Sequence, residues 1–204
     1  MNKSGPIVSV VDDDEDIRES LSILFETMGL KVQTYGGAQH FLAAYDPAQA
    51  GCLVLDVRMP GMSGPELQSK LAAEGVGLPI IIITGYGDVP MAVDAVRMGA
   101  VNFIEKPFRD QVLLDSVQKA IELDAQARLE QCEQADIEAK LSLLTPREQQ
   151  ILDLLVTGKS SKMIAYELGI SQKTVSFHRA HILEKVGVDS VLELARLSQK
   201  AELV

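Results

Sequence analysis

The sequence predicts an α/β domain built on a parallel sheet, followed by a helical linker and a small all-α domain. Three observations support this architecture. Short β-branched apolar runs alternate with helical patterns through residues 1–123, as in α/β folds. Residues 124–140 are rich in Gln, Glu and Ala and contain no Gly or Pro, which favours a continuous helix. Residues 141–204 show no strand pattern. We therefore predict three parts with these boundaries.

Five strands are predicted in the first part. Two of them, Cys52–Leu55 and Ile80–Ile83, are continuously apolar, as expected for strands that are covered on both faces. In chain order the strands are Ile7–Val11, Lys31–Tyr35, Cys52–Leu55, Ile80–Ile83 and Asn102–Ile104. The helical patterns are Asp16–Met28, Gly37–Tyr45, Gly64–Glu74, Val89–Met98 and Arg109–Leu123. This alternation predicts a flavodoxin-like (βα)5 domain, in which functional groups gather at the carboxyl ends of the strands.

The linker carries a thin apolar stripe formed by Leu123, Leu129, Ile137 and Leu141. A dimerising coiled coil is therefore an alternative to a simple helical spacer. The heptads are few and irregular, which favours the spacer.

Four helices are predicted in the last part, mainly from their capping residues. Thr145 and Glu148 form a capping box around Pro146, and this combination begins a helix that Gly158 ends. The other three are Ser161–Leu168, a helix capped by Ser171 that ends near Val186, and a helix that begins with a capping box of Ser190 and Glu193.

The formal net charge of −10 is unevenly distributed along the chain. Residues 1–122 carry 9 basic and 17 acidic side chains, and residues 123–139 carry 1 and 5. Residues 140–204 carry 9 basic and 7 acidic side chains. Only this last part has a charge balance that suits binding to phosphates.

The cysteine content and the apolar runs predict where the chain works. Only Cys52 and Cys132 are present, in segments of different character, so a disulfide is not expected. The sequence has neither a signal-peptide core nor an apolar run long enough to span a bilayer. We therefore expect a reduced, cytoplasmic chain without a membrane partner.

Polar residues stand at the ends of four predicted strands. Asp12 and Asp13 follow the first strand, Asp56 the third, Thr84 the fourth and Lys106 the fifth. Carboxylates gathered in one pocket repel one another unless a cation lies among them, and oxygen-only ligands suit Mg²⁺, with Mn²⁺ as an alternative. A carboxylate beside such an ion can accept a phosphoryl group. Taken singly, each residue also fits an ordinary role, such as an acidic helix cap or a surface lysine.

These residues lie in motifs that resemble the receiver domains of bacterial two-component response regulators. The motifs are V-V-D-D-D, L-D-V-R-M-P-G-M-S-G, I-I-I-T-G and F-I-E-K-P-F, and the resemblance covers roughly residues 6–123. It implies that Asp56 is the phospho-acceptor. It also implies that Asp13, Asp56 and the carbonyl of Arg58 hold Mg²⁺, with Asp12 acting through water.

The same resemblance implies a switch beside the acceptor. Thr84 would supply the switch hydroxyl, and Phe103 would be the aromatic residue that changes rotamer. Lys106 would contact the phosphoryl group, and the Lys106–Pro107 bond would be cis, an isomer that is largely confined to proline. Phe103 fits equally well as a core aromatic, and the two roles are compatible.

The last part has the pattern of a helix-turn-helix motif, whose second helix enters the DNA major groove. In that helix Val175, Ile182 and Val186 recur at core-facing spacing. The candidate DNA contacts are Lys162, Gln172, Lys173, Thr174, Ser176, Phe177, His178, Arg179 and Lys185. A helical bundle used only for protein contacts is the alternative from the pattern alone.

Residues 141–197 are similar to the LuxR-type four-helix DNA-binding domain, and the whole chain resembles regulators of the FixJ/NarL type. The run T-V-S-F-H-R-A favours the FixJ branch. Ser176 stands where many relatives carry Lys or Glu, and Ser161 stands where Asn is common, so the target sequence stays open. His178 has no Cys or carboxylate partner in register, which favours a structural or phosphate-contacting role over a metal ligand.

We therefore predict a transcriptional response regulator that acts as an activator. A sensor histidine kinase would phosphorylate Asp56. Receivers would then form a homodimer through the surface around Val89–Gly99, and the dimer would bind double-stranded DNA and act on RNA polymerase. Before phosphorylation, the acidic receiver is expected to cover the C-terminal domain.

The sequence is compatible with two other functions. A Mg²⁺-dependent phosphatase would form an aspartyl-phosphate, but such enzymes usually carry a second Asp two residues after the nucleophile. Arg58 stands there, so we expect no enzymatic activity. The second alternative is an adaptor that never touches DNA.

Overall fold

A computed structural model describes the backbone of residues 5–85 and 89–202, and the side chains of residues 5–85 and 93–199. The chain forms two compact units that meet in sequence at Arg128. The first unit is the α/β domain and the second contains the C-terminal helices. None of the described helices combines the length and apolarity that crossing a membrane requires.

The first unit contains one sheet of five parallel strands in the order β2-β1-β3-β4-β5. The strands are β1 (Ile7–Val11), β2 (Lys31–Tyr35), β3 (Gly51–Asp56), β4 (Ile80–Thr84) and β5 (Asn102–Glu105). All five predicted strands are confirmed, and β3 and β4 extend far enough to include Asp56 and Thr84. Every residue of β3 and β4 is buried, because helices cover both faces of the sheet.

Five helices pack on the sheet in two layers. They are α1 (Glu15–Thr27), α2 (Ala38–Ala44), α3 (Gly64–Ala73), α4 (Val89–Arg97) and α5 (Asp110–Ser142). One apolar layer joins the sheet to α1 and α5 through residues such as Phe25 and Leu113. The other joins it to α2, α3 and α4 through residues such as Phe41 and Leu67. This arrangement confirms the predicted flavodoxin-like fold.

Helix α5 is 33 residues long and includes the predicted linker. Its middle is bound to the loop before β3. The buried Asp124 carboxylate accepts a hydrogen bond from the Gly51 N–H at 2.9 Å and pairs with Arg128 Nε at 2.8 Å. The Arg128 Nη groups donate to the carbonyls of three consecutive residues, Pro47, Ala48 and Gln49. We therefore propose that residues 124–128 belong with the first part rather than with the linker.

The second unit contains α6 (Pro146–Val156), α7 (Ser161–Leu168), α8 (Gln172–Val186) and α9 (Val191–Glu202). Its apolar core includes Ile151, Ile164, Val175, Ile182 and Leu194. The predicted bounds of α7 and α8 are confirmed, and the capping box of Thr145 and Glu148 is present.

The predicted capping box of α9 differs in detail. Ser190 Oγ accepts from the Glu193 N–H as expected. The Glu193 carboxylate, however, accepts from the backbone N–H of Asp189 rather than of Ser190. Glutamate can reach one residue further back because its side chain is long enough to follow the turn before the helix.

Candidate functional site

The carboxyl ends of the strands bring the predicted polar residues together at one edge of the sheet. Asp12 directly follows β1, Asp56 and Thr84 end β3 and β4, and Lys106 directly follows β5. Asp12, Asp56 and Thr84 are buried, and Lys106 is partly buried. The parallel register requires this convergence, because neighbouring strands all point the same way.

Lys106 binds two carboxylates at once. Its Nζ lies 2.8 Å from Asp12 Oδ2 and 2.8 Å from Asp56 Oδ1. Burial alone would lower the pKa of Lys106, but the hydrogen bonds and charges of Asp12 and Asp56 outweigh burial and raise it. The ammonium group therefore stays protonated and supplies the positive charge that two buried carboxylates need.

Asp56 is held on both oxygens. Lys106 binds Oδ1, and the Arg58 backbone N–H donates to Oδ2 at 2.7 Å. Burial raises the pKa of the Asp56 carboxyl, the Lys106 ammonium opposes that rise, and the Asp12 charge adds to it. The backbone also packs closely behind Asp56, since a Cβ on Gly64 would lie 2.3 Å from the Asp56 carbonyl oxygen.

Asp12 is fixed from several directions. Its Oδ1 accepts from the Asp14 N–H at 2.9 Å, and its N–H donates to the Tyr35 carbonyl. The Arg18 Nη1 donates to the Asp12 carbonyl at 2.8 Å. Sequence reasoning missed Arg18. The available signal was a basic residue in the first turn of α1, on a helix that starts beside an acidic loop.

The metal-ligand set is only partly assembled. Asp13 is exposed, and among the described side chains, those of residues 5–85 and 93–199, no group of three His, Cys, Asp or Glu is arranged to hold an ion. The chemistry of the donors nevertheless suits a hard cation, because Asp12 and Asp56 are oxygen ligands that already share one positive charge.

The remaining receiver residues lie near this edge. Phe103 in β5 is half-buried against the layer that contains α4, so its role as a core aromatic and its predicted role as a switch remain compatible. The Lys106–Pro107 bond is cis, as the resemblance implied.

In the second unit, α7, a short turn and α8 form a helix-turn-helix. Gly169 ends α7 with a φ of +64°, a conformation that favours glycine. Ser171 caps α8 by accepting from the Thr174 N–H at 3.0 Å. The buried Val175, Ile182 and Val186 fix which side of α8 faces the core.

The predicted DNA contacts divide into two groups. Lys162, Gln172, Lys173, Ser176, Phe177 and Arg179 are exposed, whereas Thr174, His178 and Lys185 are only partly exposed. The Thr174 hydroxyl is hydrogen-bonded to Ser171. Lys185 Nζ lies 2.6 Å from Glu148 Oε2 and also reaches the Leu143 carbonyl. Thr174 and Lys185 therefore already have partners inside this unit.

Sequence reasoning also missed His181. Its ring lies next to Phe177, with 4.1 Å between centroids and 48° between planes. The two residues are four positions apart and therefore share one face of α8.

Comparison with known proteins gives two family matches. Residues 8–118 match the response regulator receiver domain. Residues 142–198 match the luxR family of bacterial regulatory proteins. Fold and matches together define a receiver domain joined to a LuxR-type DNA-binding domain.

Individual relatives match along nearly the whole chain. Nodulation protein W of Bradyrhizobium diazoefficiens is 45% identical over 95% of this chain and 85% of its own length. The transcriptional regulatory protein FixJ of Azorhizobium caulinodans is 42% identical over 94% and 90%. The solved structure of the response regulator StyR is 46% identical, covers 97% of this chain and 100% of its own, and has a TM-score of 0.88. The chain belongs to the two-component response regulators of the FixJ type, which are transcriptional regulators rather than enzymes.

Proposed function

We propose that this protein is a DNA-binding regulator that is switched on when a sensor histidine kinase transfers a phosphoryl group to Asp56. The observation that carries the proposal is the pairing of Lys106 with both Asp56 and Asp12 at the carboxyl edge of the sheet. A buried carboxylate next to a fixed cation suits acceptance of a dianionic group, because the cation offsets its charge.

In the proposed transfer, the phosphorus–nitrogen bond of the kinase phosphohistidine breaks and a phosphorus–oxygen bond to Asp56 forms. Lys106 then pairs with a phosphoryl oxygen, and the Thr84 hydroxyl donates to another. Asp13, Asp56 and the Arg58 carbonyl would hold Mg²⁺, or Mn²⁺ in its place, with Asp12 acting through water. The ion would neutralise charge on the transferred group.

Phosphorylation would change the surface formed by α4 and β5. Thr84 and Phe103 would repack toward the phosphoryl group, which alters the neighbouring apolar side chains of α4. Val93 and Val96 are exposed on that helix and Met98 is exposed directly after its end. Such a surface suits pairing with a second receiver. The resulting homodimer would bind two DNA half-sites, activate transcription through contact with RNA polymerase, and work in the cytoplasm.

The proposed DNA interface is the outer face of α8. Gln172, Lys173, Ser176, Phe177 and Arg179 are exposed there, and Lys162 on α7 adds a phosphate contact. His178 is retained as a phosphate-contacting or structural residue. Thr174 and Lys185 are given structural roles, because each is bonded within the second unit.

Intact-mass spectrometry after treatment with acetyl phosphate and Mg²⁺ tests the acceptor. We expect one phosphoryl adduct and a dimer on size exclusion for the wild type, and neither for Asp56→Asn. Asp46→Asn, at an exposed aspartate, is the matched control and should behave as the wild type. An adduct that persists in Asp56→Asn would assign the acceptor elsewhere.

A gel-shift series with salt titration tests the DNA-binding part. Contacts with phosphates make the affinity fall steeply as salt rises. Lys173→Ala should weaken binding and flatten that salt dependence. If the phosphorylated protein retards no DNA at any salt concentration, the adaptor function replaces this one.

A further inference from the structure

Phe177 is a large apolar side chain on the outer face of the helix proposed to enter DNA. It is 56% exposed, although a phenyl ring gains free energy when it is removed from water. Its position follows from helical geometry, because it lies on the far side of α8 from the buried Val175 and Ile182.

The neighbours of Phe177 leave the outer side of its ring uncovered. Ser176 precedes it, and Ala180 lies one turn further along the same face; both are small and exposed. Lys173 lies one turn before it and is also exposed. An apolar ring is therefore presented among small residues, beside a cation that suits a phosphate.

The Phe177 ring contacts two histidine rings of the same helix. The His181 ring lies 4.1 Å from the Phe177 ring, and the His178 ring lies 5.8 Å away at 73°. Both rings are in contact with Phe177, so they restrict its rotamer. A restricted side chain loses less conformational entropy when it binds a partner.

We propose that Phe177 reads thymine in the major groove by contact with the C5-methyl group, and that His181 positions its ring. The thymine methyl is the distinctive apolar group among base edges there, where other readable groups donate or accept hydrogen bonds. The inference rests on the proposed DNA binding and adds the base that this position recognises. In this arrangement Lys173 and Arg179 contact the DNA phosphates, whereas Phe177 distinguishes thymine from the other bases.

The test begins with the full-length protein activated by beryllofluoride and Mg²⁺. It selects duplexes from a random DNA pool, and the enriched duplex is then resynthesised with each thymine replaced in turn by deoxyuridine. This replacement removes only the methyl group. We expect about a fourfold loss of wild-type affinity at one or two positions in each half-site, as for an apolar group of that size.

Phe177→Ala should abolish this preference, so that thymine and uracil duplexes bind equally at those positions. Lys173→Ala is the matched control: it should weaken binding to both duplexes while the thymine-to-uracil ratio stays at the wild-type value. Equal wild-type affinity for all uracil duplexes, or a ratio unchanged in Phe177→Ala, would overturn the proposal.

Two variants separate positioning by His181 from general stability. His181→Ala should lower the thymine-to-uracil ratio with an unchanged salt slope, and His181→Phe should keep the ratio because a ring remains. An unaltered ratio in His181→Ala would remove the positioning role. Failure of the pool to enrich any sequence would overturn the proposed DNA binding itself, which is a different result from enrichment without methyl dependence.

Discussion

Lys106 stabilises the acidic site because it is shared between two buried carboxylates. Replacing it with Met would leave Asp12 and Asp56 close together without the ammonium group that now lies 2.8 Å from each. We expect Lys106→Met to lower the free energy of unfolding by about 2 kcal/mol, as for loss of hydrogen bonds to charged groups.

Urea unfolding of the metal-free protein, followed by tyrosine fluorescence, measures this loss. The signal reports mainly on the first unit, because three of the four tyrosines lie there. Adding Asp56→Asn to Lys106→Met should recover part of the stability, since one of the two charges is removed. Additive effects of the two substitutions would show that the pair is not coupled.

Glu148 gives the second unit a pH-dependent stability. Its side chain is nearly buried, and hydrogen bonds from Lys185 and Thr145 outweigh burial and lower its pKa from 4.5 to about 2. A carboxyl with a depressed pKa stabilises the folded state fully above its unfolded value. That contribution is lost as the pH falls from about 4.5 through about 2.

Thermal unfolding between pH 7 and pH 2 tests this contribution. Glu148→Gln should lower the Tm of the second unit at pH 7 and flatten its decline below pH 4.5. Glu184→Gln, at an exposed glutamate on α8, is the control and should change neither. A Glu148→Gln profile parallel to that of the wild type would contradict the assignment.

The sequence pattern was sufficient to predict those helices and strands whose positions depend on neighbouring residues. Buried strands such as β4 and capped helices such as α8 have sequence periods and capping residues that identify them. The contacts of Arg18 and Arg128 were missed, because each guanidinium binds a carbonyl that folding brings near. The Arg128 guanidinium binds the carbonyls of residues 47–49, and no periodic pattern in the sequence predicts such a contact. The contact of His181 with Phe177 is instead a local pair four positions apart on α8, which helical spacing alone could have indicated.

Gln68 is a further contact of this kind, and it links α3 to the C-terminal end of α4. Its Nε2 donates to the Ala95 carbonyl at 3.0 Å, and that carbonyl also accepts from the Ala100 N–H. The Gln68 Oε1 is buried without a hydrogen-bond partner in the described part of the chain. One bond thus holds the end of α4, while an unpaired oxygen weakens the arrangement.

We expect Gln68→Met to loosen the end of α4. Amide hydrogen exchange at Gly99 and Ala100 should become about two- to fivefold faster, which corresponds to loss of roughly one hydrogen bond. Ser69→Ala, whose hydroxyl contacts Met98 Sδ on the surface, should leave both rates nearly unchanged. Unaltered exchange in Gln68→Met would show that apolar packing alone holds α4.

At the scale of the whole molecule, the receiver part and the DNA-binding part differ in net charge. The first 139 residues carry 10 basic and 22 acidic side chains, and the last 65 carry 9 basic and 7 acidic ones. All of the excess acidic charge therefore lies in the first 139 residues. The acidic part repels DNA phosphates at low salt even if it does not cover the DNA-binding part. An unphosphorylated receiver that covers the DNA-binding part would lower the affinity for DNA further. This second effect would persist at higher salt, because salt screens only the charge repulsion.

A fragment of residues 140–204, which includes the apolar cluster around Ile151 and Leu194, separates the two effects. We expect it to bind DNA about fivefold or more tightly than the unphosphorylated full-length protein, in the range of ordinary coupling between sites. Affinities measured from 50 to 300 mM salt decide the cause. If the difference in affinity between the fragment and the full-length protein shrinks as salt rises, charge repulsion alone explains it. If that difference persists at high salt and disappears on beryllofluoride activation, the receiver covers the DNA-binding part before phosphorylation. If the fragment binds no better than the unphosphorylated chain at any salt, phosphorylation must act through dimerisation instead.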